Sequence, residues 1–129
     1  MAYILGVDIG TSGTKTVLFS EDGVPVSSAT YEYPLYTPRN GYAEQDPLDW
    51  WNAVVNGIRQ VVEDSGAAPA DIKGIGLSGQ MHGLVMLDGD NKVIRRSIIW
   101  CDQRTANEVK EITDKVGSER LIDITANPA

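Results

Sequence analysis

The stretch of sequence that decides the fold reads Tyr3-Ile4-Leu5-Gly6-Val7-Asp8-Ile9-Gly10-Thr11-Ser12-Gly13-Thr14-Lys15-Thr16-Val17-Leu18-Phe19. An apolar run ends at a carboxylate, small residues follow, and a second apolar run begins after them. Because glycine, serine and threonine let backbone N–H groups come close to an anion, this pattern predicts two strands joined by a phosphate-holding turn. Asp8 in front of the turn favours a metal-bound nucleotide over free phosphate, since a carboxylate repels phosphate but attracts hydrated Mg²⁺.

Asp8 also has a purely structural interpretation, because a lone aspartate after a strand often only caps a turn. Its neighbours Thr11, Ser12, Gly13 and Lys15 favour phosphate and metal binding instead. Phosphoryl transfer depends on positioning and charge neutralisation more than on covalent chemistry, and this set of side chains supplies both.

Two other phosphate-binding motifs do not fit the chain. A P-loop needs Gly-Lys-Ser/Thr before a helix, but Thr14 separates Gly13 from Lys15 and a strand is predicted next. A G-x-G-x-x-G pattern spans residues 74–79, yet it lies inside an apolar, strand-like run that continues as another extended stretch. Dinucleotide binding requires strand, turn and helix in that order, so we exclude this interpretation.

Composition restricts the class of protein. The chain has 129 residues, which fit one domain, and a net charge of -7 with its 11 basic residues scattered. This distribution argues against binding to nucleic acid or to an anionic membrane. With a single cysteine, Cys101, no leader and no apolar run of about eighteen residues, we expect a cytoplasmic protein without internal disulfides.

The first half of the chain carries clear signals of secondary structure. Three consecutive strands are predicted over residues 4–7, 14–20 and 24–33, followed by a loop over 34–41. Asp46 and Pro47 predict the start of a helix, and Ser65-Gly66 its end. Its predicted buried face has apolar residues at helical spacing: Trp51, Val54, Val55, Ile58, Val61 and Val62. Trp51 is therefore expected in the core, whereas the role of Trp50 stays open.

The second half completes an α/β layout. A strand is predicted over residues 72–78, and two more over 84–87 and 93–100 around a turn at 88–91. A second helix is predicted over 105–116, ending at Gly117, with these residues inward: Val109, Ile112 and Val116. A short helix and then coil are expected over 118–129.

Four segments occur in an order that resembles a known family. They are Asp-Ile-Gly-Thr-Ser-Gly-Thr-Lys at 8–15, Ala-Glu-Gln-Asp-Pro-Leu-Asp-Trp-Trp at 43–51, Ser-Gly-Gln-Met-His-Gly at 78–83 and Ile-Trp-Cys-Asp-Gln-Arg at 99–104. Together they resemble the FGGY carbohydrate kinases, and within that family the xylulokinase group most closely. The third segment is similar to the xylulokinase sugar-site motif, and gluconate kinases carry a related one.

The resemblance implies a ribonuclease H-like, actin-like ATPase fold in which two domains enclose a cleft. It implies ATP-dependent phosphorylation of D-xylulose to D-xylulose 5-phosphate, with Mg²⁺ as the metal, and it allows a homodimer. In the family, the general-base aspartate and the adenine-binding segments lie beyond position 129. Residues 1–129 are therefore expected to form the incomplete N-terminal part of the first kinase domain, inactive on its own.

The resemblance also implies roles for residues of the turn. Asp8 would hold Mg²⁺ near the γ-phosphate, Thr11 and Ser12 would donate hydrogen bonds to phosphate beside Gly13, and Lys15 would supply positive charge.

His82 is the only histidine, so it cannot build a zinc site with histidine or cysteine partners. It is either a structural histidine or a sugar-binding one whose ring N–H meets a hydroxyl while Met81 packs on the carbon skeleton. Its position after a strand and the resemblance favour sugar binding. Cys101 is expected to be a small buried residue, not a nucleophile.

Some alternatives stay open. Asp102 and Arg104 are either a helix cap and a surface ion pair or a part of the sugar site. The sugar is either D-xylulose or another polyol or sugar acid such as gluconate. A non-catalytic actin-like sensor of sugar or nucleotide is the remaining alternative.

Overall fold

The computed structural model describes residues 1–129, which are arranged around one four-stranded sheet and one long helix. In chain order the elements are β1 Tyr3–Ile9, β2 Gly13–Ser20, β3 Pro25–Glu32, β4 Glu44–Gln45, α1 Pro47–Ser65, a 3₁₀ turn Pro69–Asp71, β5 Ile72–Gly79, β6 Ser97–Ile98, α2 Ala106–Val116 and α3 Ser118–Thr125. The main sheet has the order β3-β2-β1-β5, and β4 pairs with β6 in a small second sheet. Strands β1, β2 and β3 are antiparallel, while β5 runs parallel to β1. The predicted opening strands are confirmed.

The long helix α1 begins and ends where the sequence predicts. Asp46 caps it by accepting the N–H of Leu48 at 2.9 Å, and Gly66 ends it at a φ of 67°. Glycine adopts this left-handed conformation without the steric cost that a Cβ atom brings. The local signals in the sequence are therefore sufficient to fix both ends of the helix.

The buried face of α1 differs from the predicted one. Its buried residues are Ala53, Gly57 and Val61, and Trp51 is 65 % exposed, so the prediction of a core tryptophan is wrong. The reason is the close approach of the helix to the sheet. A Cβ atom on Gly57 would lie 2.5 Å from the hydroxyl oxygen of Thr16 on β2, so small residues must face the strand. At 100° per residue, this choice turns Trp51 away from the sheet.

The core lies between the sheet and α1. Five buried residues form it: Leu5, Leu18, Ala29, Val61 and Ala67. The opposite face of the sheet is open and forms a groove of about 380 Å³, here called the sheet groove. Its walls include Gly6, Asp8, Lys15 and Phe19. The end of this groove at Asp8 adjoins the turn between β1 and β2.

The hairpin predicted around residues 88–91 is only partly present. The turn forms, since Asp88 donates its N–H to the carbonyl of Lys92 at 2.9 Å. The predicted strands on either side are reduced to single bridges, Leu87 with Val93 and Leu84 with Ile98, and to the two-residue β6. Ile98 also pairs with Glu44 of β4, in addition to its bridge with Leu84.

The C-terminal helices confirm the predicted positions but not the predicted burial. Helix α2 ends at Gly117, and α3 follows at once. The residues predicted to point inward, Val109, Ile112 and Val116, are 39 to 44 % exposed. Helix α3 is the element that packs against α2, and this short helix covers too little of its apolar face. No helix combines the length and the apolar character that a membrane span needs.

Candidate functional site

The turn at residues 10–13 is closed by a hydrogen bond from the N–H of Gly10 to the carbonyl of Gly13 at 3.0 Å. The N–H groups of Thr11 and Ser12 donate to no protein acceptor. The turn carbonyls, in contrast, are occupied. Gly10 accepts from the hydroxyl of Tyr33, and Thr11 accepts from the side-chain amide of Gln45 at 2.6 Å. Adjacent free N–H groups with their carbonyls turned away form an arrangement that binds anions.

Asp8 lies at the edge of this turn with an exposed side chain that forms no ion pair. Lys15 is its register partner on β2, is also exposed, and forms no ion pair either. Lys15 lines the sheet groove, whereas Asp8 lines both that groove and the neighbouring cleft. Both charges are therefore free to act on a ligand.

The residues around Asp8 fit a hydrated magnesium ion and do not fit an all-protein metal cage. The structure brings together no group of three or more acidic, histidine or cysteine side chains. Mg²⁺ typically keeps several waters and takes one or two carboxylates together with phosphate oxygens. One exposed carboxylate next to a turn with free N–H groups matches this coordination.

The cleft next to the turn brings most of the predicted site residues together. It has a volume of about 380 Å³ and is lined by Asp8, Gly10, Thr11, Gly79, Gln80, Met81, His82 and Trp100. The end of β5 supplies the sugar-motif residues, because β5 runs parallel to β1 and both strands end at this edge. The phosphate turn and the histidine segment, 70 residues apart in sequence, thus face one space.

Ser12 and Gly13 lie outside the lining of this cleft. Ser12 is exposed at the tip of the turn. Gly13 has a packing reason to be glycine, because a Cβ atom there would lie 2.7 Å from the carbonyl oxygen of Tyr31 on β3. The glycine therefore permits the approach of β3, whatever its role toward phosphate.

His82 has a strained backbone in the wall of the cleft. Its φ is 64°, in the left-handed region that costs a non-glycine residue about 1–2 kcal/mol. Its side chain is exposed, as is that of Met81 at 72 %. A histidine held in a strained conformation without burial contributes little to the core, and such outliers cluster at ligand sites.

Three residues of this region have no predicted role from the sequence. Trp100 is 60 % exposed and donates its indole N–H to the hydroxyl of Thr11 at 3.0 Å. Gln80 lies at the end of β5, and Gln45 is fully buried behind the turn. Gln80 and Trp100 stand inside the segments 78–83 and 99–104, and these positions are the signal in the sequence that could have pointed to this wall.

Asp102 and Arg104 form a buried pair, not a surface one. Their side chains are 3 % and 14 % exposed, and Arg104 donates to both carboxylate oxygens, at 2.8 and 2.7 Å. These hydrogen bonds hold the pKa of Asp102 well below its usual range. Thr105, not Asp102, occupies the N-cap position of α2, so of the two alternatives left open by the sequence, the helix cap with a surface ion pair is wrong.

Asp102 also lines a second groove together with His82 and Trp100. The Asp102–Arg104 pair therefore lies next to His82 and Trp100, on the side away from the cleft. Cys101, between Trp100 and this pair, is half-buried and has no disulfide partner.

Comparisons with known proteins show the family of the chain. The family model described as the FGGY family of carbohydrate kinases, N-terminal domain, matches residues 3–129. A xylulose kinase from Bacillus subtilis (strain 168) is 42% identical over 127 residues, covering 98% of this chain and 25% of the relative. This chain thus spans about a quarter of the length of the curated relatives it matches.

Solved structures show the same fold. A crystal structure of a xyloylose kinase from Brucella ovis superimposes with a TM-score of 0.89 at 37% identity, covering 98% of this chain and 26% of that one. A gluconate kinase from Lactobacillus acidophilus gives a TM-score of 0.86 at 31% identity, covering 95% and 24%. The α/β arrangement is the actin-like ATPase fold of these N-terminal regions. The chain belongs to the FGGY family of carbohydrate kinases.

Proposed function

We propose that residues 1–129 form the N-terminal part of the first domain of an ATP-dependent sugar kinase. The full-length enzyme transfers the γ-phosphate of ATP to D-xylulose and releases D-xylulose 5-phosphate and ADP. One observation carries this proposal: a single cleft is lined both by the phosphate turn with Asp8 and by the sugar motif with Met81 and His82. A kinase needs its two substrates to meet in one such space.

The turn supplies the phosphate side of the site. Asp8 holds hydrated Mg²⁺, and Lys15 adds positive charge from the sheet groove. The free N–H groups of Thr11 and Ser12 donate to phosphate oxygens. The hydroxyl of Thr11 accepts the indole N–H of Trp100, so its own proton stays available for the same ligand. Gly13 closes the turn behind them.

The loop after β5 supplies the sugar side. Met81 offers an apolar surface for the carbon skeleton, and the ring N–H of His82 donates to a hydroxyl. The proton of the attacking hydroxyl passes to an aspartate outside residues 1–129, and the oxygen then attacks the γ-phosphate in line. This aspartate is part of the proposal, and so is a location in the cytoplasm.

The choice of D-xylulose is supported by the names of the relatives, which are xylulose kinases. Gluconate is the second candidate, because a solved relative of nearly equal similarity is named a gluconate kinase. A non-catalytic sensor on the same fold is the candidate from another class. It would lack the downstream aspartate.

A substrate panel on the full-length protein tests the proposal. ADP release is measured with ATP, Mg²⁺ and D-xylulose, gluconate or glycerol, and we expect kcat/KM to be at least about tenfold higher for D-xylulose. His82→Ala is expected to raise KM for the sugar about tenfold with little change in kcat. A higher kcat/KM for gluconate would identify gluconate, and not D-xylulose, as the substrate. The absence of turnover with every sugar would favour the sensor.

A further inference from the structure

The fully buried side chain of Gln45 joins three segments that are far apart in the sequence. Its amide nitrogen donates to the carbonyl of Thr11 in the phosphate turn at 2.6 Å. Its amide oxygen accepts the side-chain amide of Gln80 at 2.7 Å and the indole N–H of Trp50 on α1 at 3.1 Å. The residue is 0 % exposed, so water competes for none of these contacts.

The chemistry of these contacts suits an amide. Thr11 presents an acceptor, whereas Gln80 and Trp50 present donors, and the amide offers an N–H at one end and two lone pairs at the other, while an ionised carboxylate offers no donor. The reversed amide would place oxygen against the Thr11 carbonyl and NH₂ against two donors, so the network fixes its orientation. A carboxylate of the same size would lack the donor to Thr11.

The contacts of Gln45 connect the two halves of the proposed site. Gln80 directly precedes Met81 and His82, and its amide also points to the carbonyl of Gly10 at 3.5 Å. Gln45 thus links the turn that faces phosphate to the segment that faces the sugar. By drawing the Thr11 carbonyl inward, it also turns the N–H of Ser12, on the opposite side of the same peptide plane, away from Gln45, where it meets no protein acceptor.

We propose that Gln45 is a positioning residue, which holds the phosphate turn and the sugar segment at a fixed distance for phosphoryl transfer. The inference rests on the proposed kinase function. It predicts that loss of the Gln45 amide lowers kcat more than it raises either KM, because misplaced donors weaken the transition state most. A merely structural glutamine would lower stability and leave the kinetics of the folded enzyme unchanged.

The test compares Gln45→Glu with Gln60→Glu in the full-length protein. Gln60 makes a matched control, since it is exposed on α1 and accepts the hydroxyl of Tyr31 at 2.9 Å, as a carboxylate also can. At about pH 8 we expect Gln45→Glu to reduce kcat for D-xylulose tenfold to hundredfold, with both KM values within about threefold. We expect Gln60→Glu to match the wild type.

The pH dependence of kcat in Gln45→Glu distinguishes a positioning role from a purely structural one. Burial raises the pKa of a carboxyl, so the new side chain gains a proton as the pH falls and can donate to Thr11 again. We expect the kcat of the variant, relative to the wild type, to recover at least threefold between about pH 8 and pH 6. Folding at both values is checked by circular dichroism.

If Gln45→Glu does not fold, Trp50→Phe replaces it, because it removes a single hydrogen bond to the Gln45 oxygen. We then expect a two- to fivefold lower kcat. With an active wild type, an unchanged kcat in the folded variant overturns the role of Gln45 and leaves the kinase function intact. A wild type without turnover of any sugar overturns the kinase function itself, and the role of Gln45 with it.

Discussion

The two residues of β4 support the site in different ways, one through charge and the other without it. Glu44 accepts from Arg95 at 2.7 Å and from Arg104 at 2.8 Å. With Asp102 these residues form what we call the charged clamp, which holds the chain on both sides of β6. The neutral clamp holds the phosphate turn at residues 10–13 and consists of Tyr33, Gln45, Gln80 and Trp100.

The difference between the clamps follows from what each one faces. The charged clamp has two carboxylates and two guanidinium groups, so its charges balance within the protein. In the proposed function the turn binds phosphate, and a carboxylate behind it would repel that ligand, so a support without charge suits the turn. The neutral clamp leaves Asp8 and Lys15 without ion-pair partners beside the turn, as the proposed binding of metal and phosphate requires.

The largest expected effect is on stability, from Asp102→Asn in the charged clamp. The change removes one of the two carboxylates that pair with Arg104 and leaves Glu44 in place, so we expect a cost at the lower end of that for breaking a buried pair, about 3 kcal/mol. We expect the free energy of unfolding of the full-length protein to fall by this amount, measured by urea denaturation. kcat is expected to fall much less for the fraction that stays folded.

Asp114→Asn is the control for this variant. Asp114 pairs with Lys110 on the surface of α2, where the two side chains are 62 % and 77 % exposed. Exposed pairs contribute about 0–1 kcal/mol, so we expect little change. Equal losses for the two variants would contradict the distinction between a buried clamp and a surface pair.

The next effect concerns activity, from Asp8→Asn beside the neutral clamp. Because Asp8 pairs with nothing in the protein, its charge is expected to act on the ligand alone. We expect kcat of the full-length protein to fall about 10²–10³-fold, the usual cost of removing one electrostatic group that stabilises a transition state. Steady-state kinetics with D-xylulose measure the loss of kcat, and thermal unfolding measures whether the stability is retained.

Asp22→Asn serves as the comparison, since Asp22 is exposed in the turn between β2 and β3 and makes no ion pair. It should leave both kcat and stability unchanged. A loss of stability in Asp8→Asn without a loss of kcat would contradict the ligand role of Asp8.

Local signals made the first hairpin and α1 predictable. Asp46, Pro47 and Gly66 act on neighbouring backbone, so the sequence contains all the information that the helix ends need. The cleft was predictable in part, because residues after β1 and β5 meet wherever these strands are adjacent. Asp8 was predicted from the residues of the adjacent turn and His82 from its place after a strand and from the family resemblance, whereas Trp100 was not predicted.

Interactions between distant residues were not predictable from the pattern. Periodicity placed Trp51 in the core, but periodicity contains no information about the distance between the helix and Thr16, which is too short for large side chains. Gln45 lies inside a recognised segment, yet its partner Gln80 is 35 residues away. Likewise, the sequence left open whether Asp102 and Arg104 form a surface pair, because Glu44, which also pairs with Arg104, is 60 residues away.

A smaller expected effect is the pH dependence of the free energy of unfolding, which distinguishes the charged clamp from the neutral clamp. Hydrogen bonds from Arg104 depress the pKa of Asp102 in the folded protein, whereas its unfolded value is about 3.9. The stabilisation is therefore complete above about pH 4 and is lost as the pH falls through the folded value. We expect Asp102 to contribute a slope of up to about 1.4 kcal/mol per pH unit below pH 4. Urea denaturation of wild type and Asp102→Asn should show it as a difference in slope, and parallel curves would contradict it.

The smallest effect comes from Tyr33→Phe in the neutral clamp. The hydroxyl of Tyr33 donates to the carbonyl of Gly10, and burial raises its pKa, so the group stays protonated and neutral. Losing one neutral hydrogen bond should cost about 1 kcal/mol, and this cost should be the same at about pH 4 and pH 8. Tyr31→Phe, whose hydroxyl reaches only the exposed Gln60, should cost less. A cost that changed with pH would mean that the turn is supported by charge after all, and the contrast between the two sides of β4 would fail.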